Sequence, residues 1–282
     1  MSNLRQRTKI LVLLSGSLFC CNGKSLPETP KPSPDVITTD PLADLPLGEG
    51  PPARLRVVVH ARYPHEKQAF TQGLVWSKGR LFESTGQFGE SSVREVELQT
   101  GRVLRIHNNS KNIFAEGLAL VDDTLFQLSW QNGRAFSYRR DDFEPLAEFR
   151  YDTEGWGLCF DGKFLVMSDG SARLFFRDPK TFVVDHVTTV FRDDRPQDRL
   201  NELECVGEHV YANIWQTDEI VRIRAHDGKV DAIIDAKGLL SEAEAEGTDV
   251  MNGIAFVPER GRFLITGKLW PIMFEASFEP AP

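Results

Sequence analysis

The chain has 282 residues, a formal net charge of −8 and a pI near 5.4. Its basic residues form no stripe, which argues against a protein that binds nucleic acid. A chain of this length can bury a sizeable core as one domain, so the length does not require two.

Residues 1–22 are predicted to be an export signal. Three basic residues precede a short apolar run at 10–19, and this run is about half of the roughly 20 residues that a membrane-spanning helix needs. Cys20 and Cys21 end the signal, as the lipidated cysteine does in a lipoprotein, although neither follows a small residue. We expect an exported protein of the periplasm or cell envelope. The alternatives are lipid anchoring at Cys20 or Cys21, free secretion, and an apolar start that is fortuitous.

Residues 23–53 differ in composition from the rest of the chain. Half of the 16 prolines lie here, and the apolar residues show no periodicity. Such a composition is typical of an extended, disordered tether. The folded domain is therefore predicted to span residues 54–282.

Five copies of one sequence pattern fill this domain. In each copy a short apolar strand is followed, after a short loop, by a second strand. One apolar residue marks the first strand of each copy: Leu74, Leu118, Leu158, Leu203 and Ile254. The spacings between these markers are 44, 40, 45 and 51 residues, which is typical of a four-stranded propeller blade. We therefore predict an all-β fold, a five-bladed β-propeller with four strands in each blade.

The outer strands and the closure of the ring can also be predicted. Segments 95–104 and 220–230 alternate apolar and polar residues around a glycine-containing turn, as hairpins do. A β-branched segment at 55–63 precedes the first copy, and the last copy lacks one strand. Pairing this N-terminal strand with the last blade would complete the blade and remove an open edge. One short helix is expected within 239–246.

The cysteines and histidines of the domain give little sign of a metal site. Cys159 and Cys205 follow their markers by one and two residues, so strand alternation sends them to opposite faces. We therefore expect two buried free thiols and no disulfide. The six histidines show no metal-ligand spacing, and no metal site is predicted.

Two positions of the repeat are rich in polar and aromatic residues. Two residues before the marker stand Gln72, Glu116, Trp156, Asn201 and Asn252. Twelve residues after it stand Gly86, Trp130, Gly170 and Trp215, and two extra loop residues place Lys268 at fourteen. Equivalent positions in a propeller surround the central channel, so we expect these side chains to converge on one site. Asn252 is expected to be structural.

Glu116 and Lys268 are the candidates for chemistry. Burial beside an apolar strand would raise the pKa of Glu116 toward neutrality, which suits a general acid or a proton shuttle. Lys268 would stabilise negative charge that develops on an oxygen. The structural alternatives are a Glu116 carboxylate held by backbone hydrogen bonds and a direct pair between the two residues.

Aromatic and amide side chains complete the expected site. Trp130, Trp156 and Trp215 would form an apolar pocket with polar rims, the alternative being a role in the core. Gln72 and Asn201 carry amides suited to holding another amide, although capping of turns is an equal alternative. Two phenylalanines precede Gln72 and Glu116 by the same step and would join the wall: Phe70 and Phe114.

Six segments that carry most of these residues resemble the plant-type glutaminyl-peptide cyclotransferases, a family also found in bacteria. The segments are 70–74, 114–118, 154–158, 200–204, 212–215 and 251–255. The resemblance implies a five-bladed propeller that converts N-terminal glutaminyl residues of peptides or proteins to pyroglutamate and releases ammonia, without a catalytic metal. It allows a structural cation in the channel. It also implies that Glu116 is the acid/base, and that the pocket residues are Phe70, Gln72, Phe114, Trp130, Trp156, Asn201, Trp215 and Lys268.

In the reaction that this resemblance implies, the substrate amine attacks the carboxamide carbon of its own side chain. Glu116 would carry the proton to the departing nitrogen, while Lys268 and Asn201 would stabilise the oxygen. Two other classes stay open: a calcium-dependent lactonase or esterase propeller, and a non-catalytic ligand-binding propeller. A monomer is the default expectation.

Overall fold

The structure, a computed structural model, describes residues 39–43, 45 and 50–281. The predicted export signal and most of the predicted tether lie outside these residues. The strands are β1 Ala53–Pro64, β2 Thr71–Ser77, β3 Arg80–Thr85, β4 Ser92–Glu97, β5 Arg102–Asn108, β6 Ala115–Val121, β7 Thr124–Ser129, β8 Arg134–Arg139, β9 Pro145–Arg150, β10 Leu158–Phe160, β11 Leu165–Ser168, β12 Arg173–Arg177, β13 Val184–Thr189, β14 Phe191–Arg192, β15 Arg195–Pro196, β16 Leu200–Val206, β17 His209–Ile214, β18 Glu219–Arg224, β19 Val230–Asp235, β20 Met251–Val257, β21 Arg262–Gly267 and β22 Ile272–Pro280. The one helix of the described residues, α1, spans Glu242–Ala245, so the helix expected within 239–246 is a single turn. No helix in this part of the chain is long and apolar enough to cross a membrane.

The strands confirm the all-β prediction, and most of them pair antiparallel with the next strand along the chain. Three four-stranded sheets contain β2–β5, β6–β9 and β10–β13, and β14 pairs with β15. An eight-stranded sheet has the order β16-β17-β18-β19-β1-β22-β21-β20. Tight turns set the registers. Lys78 and Gly79, for example, both have positive φ (51° and 79°) in the two-residue turn between β2 and β3, as a hairpin of this length favours.

Strand β1 makes the pairing that the sequence predicts and one further pairing. It runs antiparallel to β22 from Leu55 opposite Pro280 to Pro64 opposite Ile272. Its first residues also pair in parallel with β19, from Ala53 opposite Ala232. The N-terminal strand therefore covers the edge of β22 and joins β16–β19 to β20–β22.

The core consists of apolar clusters between neighbouring sheets. Among the described residues there are five such clusters, and each joins one group of strands to the next. Representative pairs are Phe82 with Leu118, Phe126 with Leu158, Val166 with Leu203, Tyr211 with Ile254, and Ala255 with Leu74. The last pair returns to the first sheet, so the packing closes on itself. All five marker residues of the repeat are buried.

The glycine before the marker residue allows the first strands to approach closely. A Cβ at Gly73 would lie 2.5 Å from the Leu118 nitrogen, and one at Gly117 would lie 2.5 Å from the Leu158 nitrogen. Carbon and nitrogen atoms that are not bonded do not approach so closely. The sequence pattern therefore reflects strands that meet backbone to backbone at the centre of the molecule.

The fourth copy of the repeat has Glu202 where other copies have this glycine. The Glu202 carboxyl is buried and accepts the backbone N–H groups of Leu74 (3.2 Å) and Ile254 (2.8 Å). Burial, together with the charge of Glu204, raises the pKa of Glu202 well above its usual value. This side chain therefore ties β16 to β2 and β20.

The prediction of free thiols was wrong, because Cys159 and Cys205 form a disulfide with their Cα atoms 5.4 Å apart. The bond joins β10 to β16. Alternation assigns faces within one strand, but it does not fix the relative direction of side chains on strands of two different, twisted sheets. Counting from the marker residue therefore could not exclude the bond.

Part of the predicted tether contacts the eight-stranded sheet. Asp40 is buried, and its Oδ1 accepts hydrogen bonds from the Tyr211 hydroxyl (2.7 Å) and the Leu42 nitrogen (2.8 Å). Arg222 donates to the Leu42 carbonyl (2.7 Å), and His209 pairs with Asp40 (2.9 Å). Residues 39–43, which lie within the range 23–53, are thus held against β17 and β18.

Candidate active site

One cavity of about 380 Å³ lies where the first strands of the repeats begin and the second strands end. Its size is within the range of small-ligand sites. It is lined by all nine residues that the sequence singles out: Phe70, Gln72, Phe114, Glu116, Trp130, Trp156, Asn201, Trp215 and Lys268. The side chains of the two columns of the repeat therefore lie around the same cavity.

Strand ends and adjoining turns position these side chains. Three of them are the second residues of strands β2, β6 and β16, namely Gln72, Glu116 and Asn201. Trp130, Trp215 and Lys268 each follow the last residue of a second strand. Side chains at such positions sit at the rim of a sheet, where the backbone no longer continues the ladder.

A chain of amide hydrogen bonds fixes the orientation of Glu116. Asn252 donates to Gln72 Oε1 (3.2 Å) and to the Thr71 carbonyl (3.0 Å). Gln72 Nε2 then donates to Glu116 Oε1 (2.9 Å). Because the carbonyl end of Gln72 is held by Asn252, its amino end faces Glu116. Asn252 does not line the cavity but holds Gln72, and Gln72 contacts the carboxyl itself.

The surroundings of Glu116 favour its neutral form. Glu116 is 5% exposed, and burial raises its pKa well above the usual value. The positive charge of Lys268 lowers that pKa, and the negative charge of Glu154 raises it. A carboxyl of this kind keeps its proton to a higher pH than an exposed glutamate does.

Lys268 does not form the direct pair with Glu116 that the sequence left open. Its Nζ lies over the Phe70 ring, 4.9 Å from the centroid, a distance suited to a cation–π contact. Burial lowers the pKa of Lys268, and the charges of Glu116 and Asp249 raise it. The Glu116 carboxyl and the Lys268 amine therefore both remain available to contact a molecule in the cavity.

Aromatic rings form two walls of the cavity. On one side Phe114 packs edge to face against Phe70 (centroids 5.9 Å apart) and Trp130 (5.6 Å). On the other side Trp156 packs against Trp215 (5.4 Å, 82° between ring planes). Edge-to-face packing of this kind stabilises ring orientations, so the cavity is a slot with fixed apolar walls.

Glu154 links the two walls through the indole N–H groups. Its Oε2 accepts hydrogen bonds from Trp130 Nε1 (2.9 Å) and Trp156 Nε1 (3.0 Å), and its Oε1 accepts one from Gln131 (3.0 Å). Burial raises the pKa of Glu154, but the three hydrogen bonds lower it by more, so the pKa lies below its usual value. The carboxylate is therefore charged, which strengthens the hydrogen bonds it accepts.

The sequence reasoning missed five residues at the site. Gln87, Gln216, Asp249 and Val250 line the cavity, and Glu154 supports its walls. The repeat itself could have identified them. Glu154 and Val250 stand four residues before their markers, as Phe70 and Phe114 do, and Gln87 and Gln216 both stand thirteen residues after theirs. Reading the positions four residues before and thirteen residues after the marker in every copy would have included all but Asp249.

A buried carboxyl, a lysine and aromatic walls around one cavity are the components of an enzyme active site. Residues 37–278 match the family described as glutamine cyclotransferase, and the chain belongs to that family. It is 39% identical over 231 residues to the glutaminyl-peptide cyclotransferase of Arabidopsis thaliana, covering 80% of this chain and 72% of that protein. The crystal structure of Myxococcus xanthus glutaminyl cyclase matches with a TM-score of 0.77 at 37% identity, covering 82% of this chain and all of the other.

Proposed function

We propose that this chain is a glutaminyl-peptide cyclotransferase, which converts N-terminal glutaminyl residues of peptides or proteins to pyroglutamate and releases ammonia. The family and the names of its two relatives support this activity. The observation that carries the mechanism is the buried Glu116 carboxyl, which is held by Gln72 and opens onto an aromatic slot.

The reaction closes a five-membered ring and expels ammonia. The α-amino nitrogen of the substrate forms a bond to the side-chain carboxamide carbon, and the bond from that carbon to the amide nitrogen breaks. The Glu116 carboxylate accepts a proton from the attacking amine and delivers it to the departing nitrogen, so it ends the cycle unchanged. A positioned group of this kind typically contributes ~10²–10⁴ in rate.

The other cavity residues bind and orient the substrate in this proposal. Lys268 and Asn201 stabilise the oxygen of the tetrahedral intermediate, where negative charge develops. Gln72 holds Glu116 in place, and its second N–H group is directed to the substrate carboxamide. The walls built on Phe114 and Trp156 keep the glutaminyl side chain folded, which favours ring closure by proximity.

We propose that catalysis requires no metal or other cofactor, because the side chains of the cavity supply both the proton transfer and the stabilisation of charge. Within the described residues, no group of three or more His, Cys, Asp or Glu side chains is arranged to hold a metal ion. The resemblance allows a structural cation in the channel, and that cation has no role in these steps.

We further infer that the sheets are five propeller blades of four strands. Three are the separate sheets, the fourth is β16–β19, and the fifth is β20–β22 completed by β1. The support is the closed series of five apolar clusters, each between two successive groups of strands. In a propeller each blade packs against two neighbours around one axis.

Export to the periplasm or cell envelope, as a monomer, is also proposed. The disulfide between Cys159 and Cys205 supports export, because disulfides persist in oxidising compartments. The export signal predicted at residues 1–22 is consistent with it. Anchoring by lipid at Cys20 or Cys21 remains a proposal that mass spectrometry of the mature protein would test.

Ammonia release from a short peptide with N-terminal glutamine tests the activity, with EDTA present to test metal independence. The matched substrate is the same peptide with an acetylated N-terminus, which lacks the nucleophile. We expect release from the free peptide only, unaffected by EDTA. No release by the folded protein would refute the activity, and release that EDTA abolishes would refute metal independence.

A further inference from the structure

The loop after β3 places an exposed aromatic ring beside the cavity. Phe88 is 57% exposed, and its ring packs edge to face against Phe114, with centroids 5.4 Å apart and planes at 78°. Phe114 belongs to the cavity wall, and the residue before Phe88, Gln87, lines the cavity. The apolar wall therefore continues from the interior to the surface at this point.

Hydrogen bonds hold this loop in one conformation. The backbone N–H of Gly86 donates a hydrogen bond to the Phe70 carbonyl (2.8 Å). The Gln87 carbonyl accepts a hydrogen bond from the Ser91 hydroxyl (2.7 Å). The Ser91 hydroxyl in turn accepts a hydrogen bond from the backbone N–H of Ala115 at the start of β6 (2.9 Å). The loop is thus fastened to the segments that carry both phenylalanines of the wall.

The loop also holds backbone strain. Gln87 has φ of 85°, a region that residues other than glycine rarely adopt. A Cβ at the preceding Gly86 would overlap the Phe114 ring. Strained residues persist where the surrounding structure holds them, and they cluster at ligand sites. The exposure of Phe88 is therefore a property of a fixed loop.

We propose that Phe88 and Phe114 form a subsite for the second residue of the peptide, and that the enzyme prefers a large apolar side chain there. This inference rests on the proposed function, in which the glutaminyl side chain fills the cavity and the peptide continues out of its mouth. An aromatic second residue would cover the Phe88 ring and remove apolar surface from water. The Gln87 carboxamide, at the same rim, is placed to contact the peptide backbone.

A basic second residue is the competing preference, since the exposed Asp249 also lines the cavity. The Asp249 carboxylate already accepts a hydrogen bond from the backbone N–H of Val250 (2.6 Å). An ion pair between this exposed carboxylate and a basic side chain of the peptide would be screened by solvent. The larger gain is therefore expected from covering Phe88. These two alternatives predict different peptide preferences and can be separated by substitution.

The test compares kcat/KM for the peptides Gln-Phe-Gly, Gln-Gly-Phe, Gln-Lys-Gly and Gln-Gly-Gly. We expect the wild type to prefer Gln-Phe-Gly over Gln-Gly-Gly by about tenfold, a difference typical of one apolar contact in a pocket. Phe88→Ala should reduce this preference to about twofold, whereas a variant outside the subsite should keep it. Phe191→Ala is the matched control, since Phe191 is also exposed (39%) but does not line the cavity.

Three results would overturn the subsite. The first is a preference for Gln-Phe-Gly that Phe88→Ala leaves unchanged, and the second is an equal preference for Gln-Gly-Phe. The third is a preference for Gln-Lys-Gly that Asp249→Asn removes. No turnover of any of the four peptides by the folded wild type would instead refute the proposed function, and the subsite with it.

Discussion

Glu154 is expected to be a positioning residue, and its replacement gives a prediction with two separate readouts. Glu154→Ala removes the one oxygen that accepts both indole N–H groups, at 2.9 and 3.0 Å. Because the charged Glu154 carboxylate is half-buried and screened by solvent, we take a net value of about 1 kcal/mol for each of these hydrogen bonds, below the range for bonds to a buried charge. Losing both would cost about 2 kcal/mol, or roughly thirtyfold in kcat/KM if the walls must be ordered for ring closure.

Glu154→Gln separates charge from geometry. The glutamine oxygen can still accept the indole N–H groups, but the negative charge is lost. Because the charge of Glu154 raises the pKa of Glu116, its removal should lower that pKa. The acid limb of the kcat/KM profile, which reports ionisation of the free enzyme, should therefore move to lower pH. A role in wall packing alone would not move this limb.

Glu148→Gln is the matched control, because Glu148 is a glutamate paired with Arg134 that does not line the cavity. It should leave both kcat/KM and the acid limb unchanged. The reasoning is refuted if Glu154→Ala retains wild-type kcat/KM, or if Glu154→Gln leaves the acid limb where it was. Thermal unfolding of each variant would show that the fold is intact.

Three further substitutions test other parts of the account. Lys268→Met should raise the pKa of Glu116 and move the acid limb of the kcat/KM profile to higher pH, and an unmoved limb would contradict this. The same variant should lower kcat by ~10²–10³, as the loss of an oxyanion donor does. Cys205→Ser opens a loop with a sequence separation of 46 and should lower the free energy of unfolding by about 4 kcal/mol in urea titration, whereas an unchanged midpoint would contradict the loop argument. Burial raises the pKa of Glu204 from 4.5 to about 8. The contribution of this group to the free energy of unfolding is therefore fully present below pH 4.5 and is lost as the pH rises toward 8. Glu204→Gln, measured by unfolding across this range, should flatten that decline, and an unchanged slope would assign the decline to other groups.

The sequence predicts the cavity well because the repeat converts sequence position into spatial position. Gln72 and Glu116 are 44 residues apart in the chain, yet they are joined by a hydrogen bond of 2.9 Å. Equivalent positions of a repeat lie side by side when each copy packs against the next. The same reasoning explains the predicted pairing of β1 with β22.

Features that depend on the relative orientation of two sheets could not be predicted in this way. The Cys159–Cys205 disulfide depends on how β10 and β16 face each other, and strand alternation contains no such information. The contact of Asp40 with Tyr211 and Arg222 lies outside the repeat altogether. Glu154 stood in a column of the repeat whose other members are apolar, aromatic or basic, so its carboxylate was not recognised as an acceptor for two indoles.

The central claim is that the Glu116 carboxyl carries the proton from the amine to the departing ammonia. The measurement that tests it most directly is the rate of ammonia release by Glu116→Gln, beside wild type and Glu204→Gln, a half-buried glutamate that does not line the cavity. The account predicts that Glu116→Gln loses ~10²–10⁴ in kcat while Glu204→Gln stays near wild type, with both variants folded. Normal turnover by a well-folded Glu116→Gln enzyme would contradict the shuttle.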